Sequence, residues 1–169
     1  MNNAEEPSLV VSLDRRLADL TDTLPASPAA IDLATATGHV ARLSHVTESA
    51  TTWIRTVMSS EDHVPFAERG AIEQLTTAMI PMADAQQALT RALAHVAHGY
   101  RTAAVPSVAH SHLRADDTTS RAIAADLYGQ ARDHLAKAIA ELRRDPRPAP
   151  RIPPPPAAPA SVPHAGPRR

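Results

Sequence analysis

Residues 33–57 read LATATGHVARLSHVTESATTWIRTV. Leu33, Ala36, Val40, Leu43, Thr47, Ala50, Ile54 and Val57 recur at steps of three and four. A half-buried strand would place its apolar residues at every second position, whereas a helix repeats every 3.6. The stretch therefore predicts one long helix with a heptad seam of coiled-coil type, interrupted once by Thr47. Val46 and Trp53 flank the seam and widen it. Ser27-Pro28 supplies a start, a capping serine followed by proline where its missing N–H does no harm. Gly38 weakens the helix by about 1 kcal/mol relative to alanine.

Three further segments carry the same period. Val10, Leu13, Leu17, Leu20 and Leu24 mark a shorter helix over residues 8–24, with Ser8 as its N-cap after Pro7. A third helix, about residues 65–100, has the row Ile72, Leu75, Met79, Met82, Gln86, Leu89, Leu93, Val96 and Tyr100. Pro81 sits beside that row and is expected to kink the helix without interrupting its apolar face. A fourth, about residues 116–144, opens on Asp116-Asp117 and closes on Arg143-Arg144, both favourable to the helix dipole. Its apolar face is broader, with Ile123, Leu127, Tyr128, Leu135, Ile139 and Leu142 among its residues.

These elements define an all-α chain: an antiparallel bundle of three long helices and a shorter N-terminal one, over residues 1–145. Residues 101–115 read as a longer connection. From Pro146 the character changes. Ten of the last 24 residues are proline, with Arg147, Arg151, Arg168 and Arg169 and no acid. Residues 146–169 are predicted to be a disordered, polyproline-leaning tail, suited to act as a tether. Arg147-Pro-Ala-Pro-Arg-Ile-Pro153 also fits a polyproline ligand pattern.

Composition narrows the function. Only Trp53, Phe66, Tyr100 and Tyr128 are aromatic, so the core is built from alanine and aliphatic groups. Arginine replaces lysine almost throughout, Lys137 being the exception, and alanine, proline and threonine abound. That resembles the composition of a GC-rich, actinobacterial genome. A net charge of −1 gives no general attraction to phosphate backbones, which argues against nucleic acid as a partner. The absence of cysteine excludes disulfides, thiol nucleophiles and thiolate metal sites. An acidic N-terminus and the lack of an apolar run of about 18 residues predict a soluble, cytoplasmic protein without a membrane span.

Chemistry-bearing side chains crowd one stretch, HVAHGYRTAAVPSVAHSH at residues 95–112. His95, His98, His110 and His112 would form a metal site only if residues 101–115 folded back on the third helix. Bundle metal sites draw on inward Glu-x-x-His pairs, and the chain contains none. Arg91 and His98, separated by Ala-Leu-Ala-His-Val-Ala, resemble the spaced Arg–His motif of the all-α HEPN ribonucleases. The resemblance implies a phosphodiesterase using Arg91 and His98 at a dimer interface. Ala92 departs from the polar residue usual after that arginine. Trp53-Ile-Arg55 lacks the glycine of secreted WXG-type hairpins. Ser44-His45 and Ser111-His112 are adjacent residues, poorly placed as nucleophile and base.

The chain is therefore expected to be a non-enzymatic interaction or scaffold protein without cofactors. It would bind a protein partner or form a homo-oligomer through a helix seam. Trp53 and Val46 are the expected interface residues. Thr47 and Gln86, polar on seam positions, either fix register or lie near a bundle end or against their own backbone.

Overall fold

The computed structural model describes residues 8–59, 66–103 and 110–144, without the side chains of residues 66, 67, 102, 103 and 110–115. Four α-helices follow one another: α1 (Leu9–Thr23), α2 (Leu33–Ser59), α3 (Phe66–Ala103) and α4 (His110–Leu142). No strand occurs among the described residues. The all-α bundle expected from the sequence is present. Residues 145–169, which include the expected tail at 146–169, lie outside the described residues.

The helix ends follow local chemistry. The Ser8 side chain accepts a hydrogen bond from the Val11 N–H at 3.4 Å, capping α1. Ser27 caps as expected, but the helix it opens is a single 3-10 turn, Pro28–Ala30. α2 starts later, where the Asp32 carboxylate accepts from the Thr35 N–H at 2.7 Å. Hydrogen bonds from Thr35 hold the Asp32 carboxyl below its ordinary range. α4 also departs from expectation. It begins at His110, ahead of Asp116-Asp117, so the connection from α3 is residues 104–109. Asp117 lies inside the helix and pairs with Arg121 one turn on, at 3.1 Å.

Neighbouring helices run antiparallel. Gln74 reaches the Arg144 carbonyl, Asp84 faces His134, and Gly99 lies against Asp117. α3 and α4 form the most extensive pair, α2 packs on α3 less fully, and α1 touches both α2 and α4. The buried row of α3 is Leu75, Ala78, Met82, Ala85, Leu89, Ala92 and Val96. This shifts the expected seam by one residue at alternate positions. Ala78, Ala85 and Ala92 replace Met79, Gln86 and Leu93, while Tyr100 stands 65% exposed. α4 answers with Ala124, Ala131 and Ala138, all fully buried, alternating with Tyr128, Leu135 and Leu142. Small residues on both sides let the two backbones approach closely. At Gly99 an added Cβ would lie 2.6 Å from Asp117 Oδ1 and 3.5 Å from Ser120 Cβ. α3 continues as helix through Pro81.

α1 is shorter than its neighbours and closes only part of the fourth side. It is held by Leu13, Leu17 and Leu20, each at most 2% exposed. Burying each contributes roughly 1.5–3 kcal/mol. Residues 24–32 continue along α4 and complete the closure, with Leu24 and Ile31 buried. Two α4 arginines secure this segment. Arg132 donates to the Leu24 carbonyl at 2.9 Å and to that of Pro25. Arg121 donates to the Ile31 carbonyl at 3.2 Å. Arg132→Ala should destabilise the protein by about 1–2 kcal/mol in urea unfolding. Amide exchange should accelerate at Leu24 and Ile31 and stay unchanged in the middle of α3.

Candidate functional site

The register of α2 determines which polar groups enter the interior. Its buried residues are Ala36, His39, Leu43, Val46 and Ala50. The seam expected from the sequence kept Leu43 and both alanines but placed Val40 and Thr47 where His39 and Val46 belong. Val40 is only half-buried, and Thr47 turns its hydroxyl onto the Leu43 carbonyl at 3.0 Å. Val46, expected at the seam margin and at an interface, is 3% exposed inside the chain's own core. Trp53 is half-buried and packs against that core.

The flank of α2 turned away from α1 forms an open groove with α3. One part, of about 510 Å³, is lined by Ser44, Thr47, Thr51 and Arg55 of α2 and by Ala83 and Gln86 of α3. Toward the other end of the bundle a second part, about 840 Å³, is lined by Leu33, Thr37 and Gly38 of α2, Val96 and Tyr100 of α3, and Arg121 of α4. Gln86 ties the two helices together: its amide donates to Ser44 Oγ at 2.9 Å and to the Val40 carbonyl at 3.4 Å. This accounts for a polar residue near the seam. Gln86 crosses the helix–helix margin and bonds to its neighbour.

Inside the bundle, His39 of α2 meets Tyr128 of α4. His39 is 5% exposed and Tyr128 1%. Imidazole Nδ1 lies 3.1 Å from the phenol oxygen, and the rings meet edge to face at 5.7 Å and 79°. Burial pushes the His39 imidazole below its ordinary value, the Arg42 charge adds to this, and a hydrogen bond to the Thr23 backbone opposes it. Burial, with a smaller push from the Asp32 charge, raises the Tyr128 phenol to about 12. Both rings are therefore neutral near pH 7. The proton assignment satisfying both has the phenol O–H donating to Nδ1 and the imidazole proton on Nε2.

The sequence candidates fall elsewhere. Arg91 and His98 are exposed and His95 is half-buried, all outside the buried row of α3. Arg91 and His98 are two turns apart, an axial rise of about 10.5 Å. The side chains of His110 and His112 lie outside the described residues. Among the described residues no three His, Asp or Glu side chains converge to hold a metal ion. No described helix is long and apolar enough to cross a membrane. Compared with known protein families, curated proteins and solved structures, the chain matches none.

The sequence reading missed His39. Its spacing from Ala36 and Leu43 was available, but a histidine in a seam counts against that register while Val40 next to it counts in favour. Tyr128 was assigned to the apolar face, yet the partner for its hydroxyl lies 89 residues away.

Proposed function

We propose that the protein is a non-enzymatic helical interaction protein. It receives a helix of a second copy in the α2–α3 groove, with residues 146–169 as a tether. The observation that carries this reading is the incomplete packing of α2 on α3. A groove bordered by two helices, in which the small side chains of Ala83, Ser44 and three threonines stand beside Glu48, Arg55 and Gln86, suits helix-in-groove recognition. The Leu43, Leu75 and Leu89 side chains are consumed within one chain, which moves self-association from the seam to this open face. Exposed apolar side chains on the bundle exterior, Ile80 at 67% and Met58 at 64%, supply matching projections. Trp53, half-buried against the chain's own core at the same end of α2 as Met58, is proposed as an anchor at the margin of this interface, since aromatic residues often dominate binding energy.

Sedimentation of the full chain over a concentration series tests the proposal. The expected result is reversible association. It should be lost in Thr51→Arg and Ala83→Arg, which place a bulky cation on each groove wall, and weakened about tenfold in Trp53→Ala. Thermal unfolding should show that the two arginine variants remain folded. A chain that stays monomeric throughout, or associates equally well with both walls blocked, refutes the reading.

A further inference from the structure

α1 and α2 enclose a small cleft on the side of α2 away from α3. It is about 180 Å³ in volume and is lined by Arg16, Asp19, Arg42 and His45, with Leu20 and Val46 as its floor. The antiparallel pairing of the two helices brings these side chains together. Arg16 lies opposite Ser49, and Arg42 lies opposite Thr23.

The two guanidiniums are under-used. Arg16, half-buried, donates one hydrogen bond to Ser49 Oγ at 3.4 Å, and Arg42 donates one to Thr23 Oγ1 at 3.4 Å. Both are at the long end for N–H···O bonds and go to neutral oxygens. Among the described residues neither arginine has a carboxylate within 4.0 Å, although Asp19 borders the same cleft. Other charges do pair in this chain, as Arg143, just past the end of α4, does with Asp14 of α1 at 2.9 Å. Arginine presents several N–H donors in a planar fork that matches tetrahedral oxyanions, and most of those donors are uncommitted here.

We propose that this cleft binds a phosphate monoester or inorganic phosphate, with Arg16 and Arg42 clasping the anion from opposite helices and the His45 ring at its edge. The apolar floor limits hydration of the bound group. The two guanidinium charges favour a dianion over a monoanion, and the Asp19 carboxylate tunes affinity downward. The inference is independent of the α2–α3 groove, which lies on the other flank of α2.

Titration of the full-length protein with inorganic phosphate and with O-phosphoserine at constant ionic strength, followed by NMR of the arginine Nε–H and histidine ring signals, tests the assignment. Saturable shifts are expected at Arg16, Arg42 and His45. Tighter binding of O-phosphoserine would mark a phosphorylated side chain as the source, and equal binding a free phosphate. Arg16→Gln and Arg42→Gln should each weaken binding at least tenfold, Asp19→Asn should tighten it several-fold, and Arg91→Gln on the exposed face of α3 should change nothing. Shifts that follow chloride as readily as phosphate, or that persist in the Arg16→Gln/Arg42→Gln double variant, overturn the proposal. So does a titration with no shift in the folded wild-type chain.

Discussion

Ala85→Leu is expected to lower the unfolding free energy by about 2–3 kcal/mol, near the upper end for overpacking a filled interior. In a chain of this size the midpoint should fall by about 5–10 °C. Ala85 is fully buried in the α3 row that meets the buried alanines of α4. Three extra carbons there must push the two helices apart or force a strained rotamer. Because α3–α4 is the most extensive pairing in the bundle, separation at one level disturbs packing over several turns. Ala94→Leu, on the exposed side of the same helix, is the control and should change stability by no more than about 0.5 kcal/mol. Equal effects at the two positions would remove the close-packed alanine seam from the explanation. Leucine is a good helix former, so a loss at position 85 reports packing and not propensity.

Acid should weaken the fold in a window set by His39. The folded state holds this imidazole neutral, with its titration moved below the ordinary value of 6.5. Between those limits the unfolded chain binds more protons than the folded one, so stability falls as pH drops. Thermal midpoints should be level above about pH 7 and decline below about 6.5, then flatten once the folded-state imidazole is itself protonated. His39→Leu in a Tyr128→Phe background removes both polar partners and should abolish the decline between pH 7 and 5. Asp32, whose carboxyl is lowered from 3.8, contributes only at more acidic pH. Tyr128→Phe alone is predicted to cost about 1–3 kcal/mol at neutral pH, because Nδ1 is then buried without its donor. The double variant should recover most of that loss. At the alkaline end the sign reverses. The phenol is raised to about 12, so its contribution is complete below about pH 10 and disappears as pH climbs toward the folded value.

The sequence was informative about which segments are helical and less so about their azimuth. Leucine spacing located α1 well, since Leu13, Leu17 and Leu20 leave one possible inner stripe. On α2 and α3 two stripes one residue apart were both tenable. Val40 and Ile54 favoured one, whereas close packing of alanines selected the other. Alanine weighs little in a hydropathy pattern, yet it sets the distance between helix axes. The site suffers from the same difficulty. His39–Tyr128, Gln86–Ser44 and the Arg16–Arg42 cleft each join residues 26 or more positions apart, so no local motif announces them. The histidine-rich stretch at 95–112 was conspicuous in composition, but its described members, His95 and His98, lie outside the buried row.

The closure of the fourth side by a short helix and an arginine-latched segment has a kinetic consequence. The α3–α4 hairpin draws on contacts between consecutive elements and can assemble early. The N-terminal stretch must wait for surfaces contributed by both ends of the chain. Native-state hydrogen exchange should accordingly resolve two cooperative units, with residues 9–31 opening at lower free energy than the hairpin. Each such opening would bring Leu13, Leu17, Leu20 and their counterparts on α2 and α4 into water, a transient state vulnerable to proteases and to capture by chaperones.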